Sequence, residues 1–518
     1  MTNPINSAIF EIAKRSEKKS REYLVSSFVD VGPLFALLRT VDNQILYGRR
    51  GTGKTHIFNY LLDDVERQGN IGIYIDMRNV GSNGGLYSDM SISLSERASR
   101  LLIDTFAAIH DQILEYVLSH DDIDLSKLGP VFDSLDAAIH QIRVVGEVEM
   151  ASKYEISEVQ EMSTGLELSG SPAVSYQGQC KTSDALCTEK QVKGVELHRI
   201  HFPTLSVILK DLLANLSHRT IWVFFDEWAE IPIDLQPYLA DLLRRTLFPV
   251  SGVIVKIAAI ERRSNLRIDN GLSYIGIEIG AELSSLNLDE FMVFDNNSDK
   301  SKEFFASLLF NHLKQTFIER HIDVPNKESF INQAFTQKNA FDELVRAAEG
   351  VPRDAINIVI QAAMKADQDK ISVPYVREAA RTWYSRDKEG AISTNKNANL
   401  LLRWIIDTVI GERKARAFLL SSDANYPLIE YLYDARILHV VKTNISAKDT
   451  PGERYNVYAI DYGAYVHLNN TANAVQGTLI GDNDEYIEIP MIDYRSVRRA
   501  ILDVEAFQYT LVSANTSN

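Results

Sequence analysis

The order of apolar and polar residues changes character several times along the chain, and the changes mark candidate domains. Residues 1–40 carry apolar positions at helical spacing, which predicts an N-terminal helical segment. Residues 41–47 are a short apolar run of strand length, followed by a glycine-rich octapeptide and a helical pattern over 56–67. Residues 72–77 (GIYIDM) predict a second strand with little alternation, as a parallel strand buried on both faces requires. Residues 79–85 read as a loop rich in Gly and Asn; 95–118 and 125–141 read as helices. Residues 142–200 break this rhythm. Runs at 143–150, 165–169 and 173–177 alternate like strands among Ser, Gly, Lys and Gln, so the segment reads as a β-rich insert. A helix over 202–216, a buried strand over 220–225, a helix over 235–247 and strands over 253–260 and 274–279 then follow. Strands alternating with helices predict a doubly wound parallel sheet in an α/β fold.

After Leu288 the strand patterns stop, and residues 286–385 read as an all-helical domain. Residues 386–397 (RDKEGAISTNKN) read as a polar linker. Residues 398–470 read as helix, helix and two strands at 437–444 and 455–460, the order of a winged helix. The last segment, 471–518, reads as a loop, a strand at 486–489, a helix at 494–507 and a tail. The expected domains are therefore 1–40, an α/β base over 41–285 with its insert at 142–200, a helical lid over 286–385, a winged helix over 398–470 and an extension over 471–518.

Composition narrows the class. The chain has 518 residues, 45% hydrophobic and 24% charged, which fits a globular multidomain protein. No apolar run approaches the roughly 20 residues of a membrane helix, and residues 1–19 are polar and mixed in charge, so a soluble, cytoplasmic protein without a membrane partner is expected. Two cysteines exclude a disulfide framework and a four-cysteine zinc site. The net charge of −16 argues against a generic nucleic-acid coat but leaves room for a local basic patch.

Two motifs carry chemistry. Gly48-Arg49-Arg50-Gly51-Thr52-Gly53-Lys54-Thr55 fits G-x-x-x-x-G-K-[ST] without mismatch. In that pattern Gly48, Gly51 and Gly53 let backbone N–H groups, Thr52 among them, close around phosphates. Lys54 adds charge over the β- and γ-phosphates, Thr55 reaches magnesium, and the helix that follows directs its positive end at the anion. The second motif, Ile221-Trp222-Val223-Phe224-Phe225-Asp226-Glu227, is a buried strand ending in two carboxylates. Asp226 is the candidate magnesium residue and Glu227 the candidate that polarises the attacking water. Both carboxylates together point to hydrolysis of a nucleoside triphosphate. No Asn-Lys-x-Asp guanine-reading motif follows, which favours ATP. Asp76 and Arg78, after the second strand, read as a salt bridge beside this site.

On YGRRGTGKT (residues 47–55), IWVFFDEW (221–228) and GVPRDA (350–355), followed by a winged helix, the chain resembles the AAA+ ATPases of the phosphate-loop NTPases, and among them the origin-recognition and initiator-type clade. The resemblance covers roughly residues 25–470. It implies Mg-ATP between the base and the lid, with Arg353 as the lid arginine that contacts the γ-phosphate. A γ-phosphate sensor after the fourth strand is implied too. Ile260-Glu261-Arg262-Arg263-Ser264-Asn265 stands there, which departs from the usual Asn, Ser or Thr and is similar to the STAND signalling ATPases. Arg262 is the choice, Arg263 the next, and either of them or Arg267 is a candidate finger acting in trans. Arg244 and Arg245 read as a match to a helix dipole.

The insert carries six Lys or Arg against nine Asp or Glu, which fits a contact with a protein partner or a second copy better than DNA. Its Cys180 and Cys187, with His198 and His201, match no standard zinc spacing. In the winged helix, residues 426–436 are the candidate recognition helix and 442–454 the wing, with Lys442, Lys448 and Arg454 placed for phosphates. Tyr431, Tyr433, Tyr455 and Tyr458 fit a docking surface or a core. Two functions remain in view: an initiator-type ATPase whose nucleotide state controls duplex DNA engagement, and a nucleotide-gated switch of the signalling or defence type that recruits a protein effector without DNA.

Overall fold

The computed structural model describes residues 3–12, 19–30, 32–80, 85, 87–140, 142–145, 148–150, 173–177, 190–198, 202–216, 218–271, 273–289, 298–412, 417–422, 426–446, 453–469, 501–504 and 506–507. The strands expected at 165–169 and 486–489, most of the helix at 494–507, and Cys180, Cys187, His201 and Lys448 lie outside these residues. The chain divides into two compact units, one of residues 36–47 and 58–286, the other of residues 1–35, 48–57 and 287–518.

The first unit is built on a sheet. Its strands in chain order are β1 (Gln44–Tyr47), β2 (Ile71–Asp76), the insert strands β3 (Ile142–Val145), β4 (Val148–Met150), β5 (Ala173–Gln177) and β6 (Lys190–His198), then β7 (Ile221–Asp226), β8 (Val253–Ala259), β9 (Arg267–Asn270), β10 (Ser273–Gly276) and β11 (Ser284–Asn287). The insert strands form a separate antiparallel sheet in which β6 pairs with β3, β4 and β5. The main sheet runs β11-β1-β8-β7-β2, and the pairs β1–β8, β8–β7 and β7–β2 are parallel. β7 and β8 are buried at every position, which is why their sequences read as unbroken apolar runs. Inside β8 the exception is Lys256, fully buried. Its ammonium donates to the carbonyls of Thr40 (2.8 Å) and Asp42 (2.8 Å) and to Gln44 Oε1 (2.6 Å), so each of its three protons has an acceptor. Burial pushes its pKa down to about 7. The helix Leu94–Leu118, capped by Ser93 accepting from the amide of Glu96, buries Leu101, Leu102, Phe106, Ile109 and Ile113 in the core that contains Ile73, Ile75, Val223 and Phe225.

The run at 274–279 does not join this sheet. β10 pairs antiparallel with β9 in a two-stranded ribbon. Gly276 turns the chain out at φ +115°, where a Cβ would lie 1.9 Å from the carbonyl oxygen of Leu266. The edge strand beside β1 is instead β11, whose sequence SSLN carries too little apolar character to announce itself.

The second unit holds the helices Ser298–Glu319, Lys327–Ala334, Lys338–Ala348, Pro352–Ala366 and Val373–Trp383 around Phe305, Leu309, Phe330, Leu344 and Val359. The N-terminal helix Pro4–Ile9 joins the same core through Ile5 and Ile9, and the Asn6 amide donates to the carbonyls of Asp367 and Asp369. The expected polar linker is helical. Val373–Trp383 runs through a π-turn, Tyr384–Lys388, into Glu389–Ile392, and Lys396–Ile405 follows. Lys388 pairs with Asp354 and Asp461 and Asp387 with Arg436, all distant in sequence, and Lys388 is 1% exposed. Then come β12 (Ala417–Ser421), the helix Pro427–Asp434, β13 (Leu438–Ser446), β14 (Arg454–Ile460) and the helix Tyr462–Asn469. The three strands form an antiparallel sheet, β12-β14-β13. Leu401, Ile405, Phe418, Leu432, Ile437 and Ile460 fill its core. Both strands expected from the pattern are present, and β12 is an additional one. Among the described residues no helix is long and apolar enough to cross a membrane.

Candidate functional site

The glycine-rich octapeptide leaves β1 at Gly48, and the helix Lys54–Arg67 begins at its lysine. Gly51 at φ +88° and Gly53 at φ +98° occupy left-handed backbone that a side chain would strain. At Gly51 a Cβ would also lie 2.8 Å from Cβ of Arg353, and the amide of Arg353 donates to the Gly51 carbonyl at 3.2 Å. The start of the helix Pro352–Ala366 is thus seated on the loop, with Pro352 supplying its fixed first turn. Lys54 is buried. Its ammonium donates to the carbonyls of Gly48 (2.7 Å) and Arg49 (3.1 Å), and the Thr52 hydroxyl donates to the Arg49 carbonyl at 2.8 Å. Thr55 and Gly53 are half-buried and Arg50 is exposed.

The acidic pair lies at the end of β7. Asp226 is fully buried. Tyr74 of β2 donates its hydroxyl to Asp226 Oδ2 at 2.5 Å, and the Glu227 amide donates to Oδ1 at 2.8 Å. Burial and the neighbouring Asp226 carboxylate push the Tyr74 phenol well above its ordinary pKa, so it stays a donor. Glu227 is half-buried with φ 55° and ψ 40°, a left-handed conformation unusual for a residue with a side chain. The fully buried Trp228 anchors the turn behind it. Asp76 and Arg78 form the expected pair, with Arg78 Nε 2.9 Å from Asp76 Oδ1.

The candidate arginines differ in their commitments. Arg262 and Arg263 lie half-buried in a single turn after β8. Arg267 pairs with Asp269 (2.8 Å) and Glu278 (3.4 Å) and covers the Tyr274 ring at 4.2 Å, so its charge is already engaged within its own unit. Arg244 and Arg245, in the last turn of the helix Gln236–Thr246, both pair with Asp241. In the C-terminal sheet, Lys442 and Arg454 are exposed on β13 and β14, whereas Tyr433, Tyr455 and Tyr458 are buried. Tyr431 donates to the carbonyl of Ala391.

Three residues had no distinguishing signal in the sequence. Arg49 occupies a variable position of the loop pattern, yet it is 2% exposed. Its Nε donates to Asp289 Oδ1 and its amide to Asp289 Oδ2, so one carboxylate holds both its side chain and its backbone. Its other partners are the carbonyl of Glu349 and Nδ1 of His439. Tyr74 and His439 were equally silent, being tied to Asp226 and to Arg49 across 152 and 390 residues of chain. Among the described residues there is no cluster of three or more His, Cys, Asp or Glu able to hold a metal; His198 lies on β6.

No curated protein matches the chain. Among solved structures, one of Drosophila ORC bound to DNA is 11% identical, covers 87% of this chain and 93% of its own, and has a TM-score of 0.32. One of the Aeropyrum pernix ORC1 protein in complex with DNA is 14% identical, with coverages of 87% and 97% and a TM-score of 0.32. One of Cdc6p from Pyrobaculum aerophilum is 13% identical, with coverages of 89% and 96% and a TM-score of 0.31. The family model described as ORC-CDC6-like matches residues 12–340, more than half of the chain, and the chain belongs to the ORC-CDC6-like family.

Proposed function

We propose that the chain is an AAA+ ATPase that binds and hydrolyses magnesium-ATP, and that its nucleotide state controls engagement of duplex DNA. The observation that carries this reading is the loop itself. Two left-handed glycines open its backbone, a buried lysine ammonium is drawn onto its carbonyls, and the Arg353 helix is seated on Gly51. That donor set suits a triphosphate: backbone N–H groups and Lys54 for the phosphate oxygens, and the helix Lys54–Arg67 directing its positive end at them. On this reading the Thr55 hydroxyl and the Asp226 carboxylate would supply hard oxygen donors for magnesium, which would offset charge on the phosphates. Glu227 orients the attacking water and takes its proton. Arg353 balances charge developing on the γ-phosphoryl group, and Arg262 reads its presence. Tyr74 holds the Asp226 carboxylate in one orientation through its 2.5 Å hydrogen bond.

The C-terminal elements support the DNA half. A helix (Pro427–Asp434), a third strand and a hairpin of β13 and β14 carrying Lys442 and Arg454 support reading residues 398–470 as a winged helix, with the hairpin as its wing. Turnover of ATP by the wild type and by Glu227→Gln, with and without duplex DNA, tests the whole reading. Turnover lost in Glu227→Gln, raised by DNA, and raised less as salt increases, supports it. Turnover indifferent to DNA together with ATP-dependent self-association would instead favour a nucleotide-gated switch that recruits a protein. No turnover in the wild type would overturn hydrolysis.

A further inference from the structure

Arg49 sits in the phosphate loop but its side chain is spent elsewhere. An arginine has only donors to offer, so the 2.5 Å contact between its NH1 and Nδ1 of His439 makes Nδ1 the acceptor. His439 is therefore neutral with its proton on Nε2, and Nε2 donates to Asp461 Oδ2 at 3.1 Å. Burial, helped by the charges of Arg49 and Lys388, pushes the histidine down to about 3, which agrees with that tautomer. The Asp461 oxygen also receives Lys388 Nζ at 2.5 Å, and Lys388 is paired at 2.8 Å with Asp354 Oδ2. Arg436 closes on the other oxygen of Asp354 and reaches Asp387 at 2.6 Å. Asp354 is the neighbour of Arg353, whose amide returns to the loop at Gly51. The contacts make a closed ring that leaves the phosphate loop at Arg49 and re-enters it at Gly51. It passes through β13, the residue after β14, and the π-turn at 384–388. Arg49, Lys388, Asp354, His439 and Asp461 are all buried.

We propose that Arg49 and His439 are positioning residues that couple the phosphate loop to the C-terminal sheet, so that nucleotide binding and the docking of residues 396–469 are linked. The linkage rests on the nucleotide reading given above. Its pivot is the carbonyl of Arg49, which receives the Lys54 ammonium and the Thr52 hydroxyl. A phosphate group in the loop competes for that ammonium and draws it from the carbonyl of the same residue whose guanidinium holds His439, leaving the Thr52 hydroxyl there. The Tyr433 ring, 5.5 Å from that guanidinium, and its hydroxyl, 3.3 Å from Asp289, make a second tie from the C-terminal domain to the same arginine. Because the side chains from Arg49 through His439, Asp461 and Lys388 to Asp354 are buried, a change at one is felt by the next rather than screened by water.

The test uses the full chain. Equilibrium binding of magnesium-ATP and hydrogen exchange across β13 and β14, with and without ATP, are measured for wild type, His439→Ala and His439→Gln. The expectation is an ATP affinity altered by about tenfold in His439→Ala, within the ordinary range of coupling between sites. ATP should change exchange in β13 and β14 of the wild type and should no longer do so in His439→Ala. His439→Gln should restore both, since an amide can accept from Arg49 and donate to Asp461. A His439→Ala protein that is less stable, yet has wild-type ATP affinity and a wild-type exchange response, would show a structural role only and overturn the coupling. If His439→Ala does not fold, Tyr433→Phe removes only a hydroxyl and should shift ATP affinity by less than about tenfold while weakening the exchange response of β13 and β14; no change in either overturns the proposal. A wild type that binds no ATP would fail the nucleotide reading itself, and a wild type that binds ATP with no exchange response would fail the coupling alone.

Discussion

Glu227 offers a prediction in which stability and activity move in opposite directions. It is held at φ 55° and ψ 40°. That region costs a residue with a Cβ about 1–2 kcal/mol and costs glycine nothing. Glycine returns part of the difference through the greater freedom of its unfolded chain, about 0.4–1 kcal/mol. Replacing Glu227 by Gly should therefore stabilise the sheet-bearing unit by a net of about 0.5–1 kcal/mol, or about 2 °C in melting temperature for a unit of this size. Glu227→Gln is the control, because it keeps the strained backbone and removes only the charge. Scanning calorimetry and ATP turnover are run on both variants beside the wild type. Both should lose turnover by about 10²–10⁴-fold, the usual worth of a general base, and the glycine variant should melt about 2 °C above the glutamine variant. A glycine variant melting at or below the glutamine variant would refute the strain argument. Wild-type turnover in either variant would remove Glu227 from the chemistry.

Three further outcomes follow from the geometry. Tyr74→Phe removes the hydroxyl donating to the buried Asp226 carboxylate, so urea denaturation should show a loss of about 1.5–3 kcal/mol, with turnover reduced; unchanged stability would mean the bond contributes nothing. Arg353→Ala should lower turnover more than ATP affinity, and an equal loss of both would reduce the residue to a support for the helix start. Stability should fall as acid is added below pH 6.5, because burial pushes His312 and His439 down to about 3. Between those values the unfolded chain binds protons that the folded chain does not, and at pH 5 each buried neutral histidine costs about 2 kcal/mol relative to pH 7. Replacing His312 by Gln should flatten the pH dependence measured by denaturant titration between pH 7 and 5, and an unaltered slope would contradict its assignment.

What the sequence discloses depends on whether the determining contacts are local. The loop at 48–55 and the strand ending in Asp226 and Glu227 declare themselves within eight residues, and the structure places each at the end of a parallel strand. The family follows from such local patterns. The polarity of 386–397 misleads, because Lys388 finds Asp354 and Asp461 far along the chain and is buried with them. The strand at 274–279 misleads in the opposite direction: its apolar residues form a ribbon with β9, while the polar SSLN of β11 takes the sheet edge. The conformation of Glu227 leaves no mark on residue type, and Arg49 looks like filler in a loop pattern until His439 is seen beside it.

Equilibrium binding of magnesium-ATP by titration calorimetry, wild type beside Lys54→Ala, tests the central claim most directly. The Lys54 ammonium is a full positive charge drawn onto the loop's own carbonyls. The account predicts stoichiometric binding by the wild type and a loss of at least about a hundredfold, about 2.7 kcal/mol, in Lys54→Ala. Equal affinity in the two proteins, or no binding by either, would contradict it.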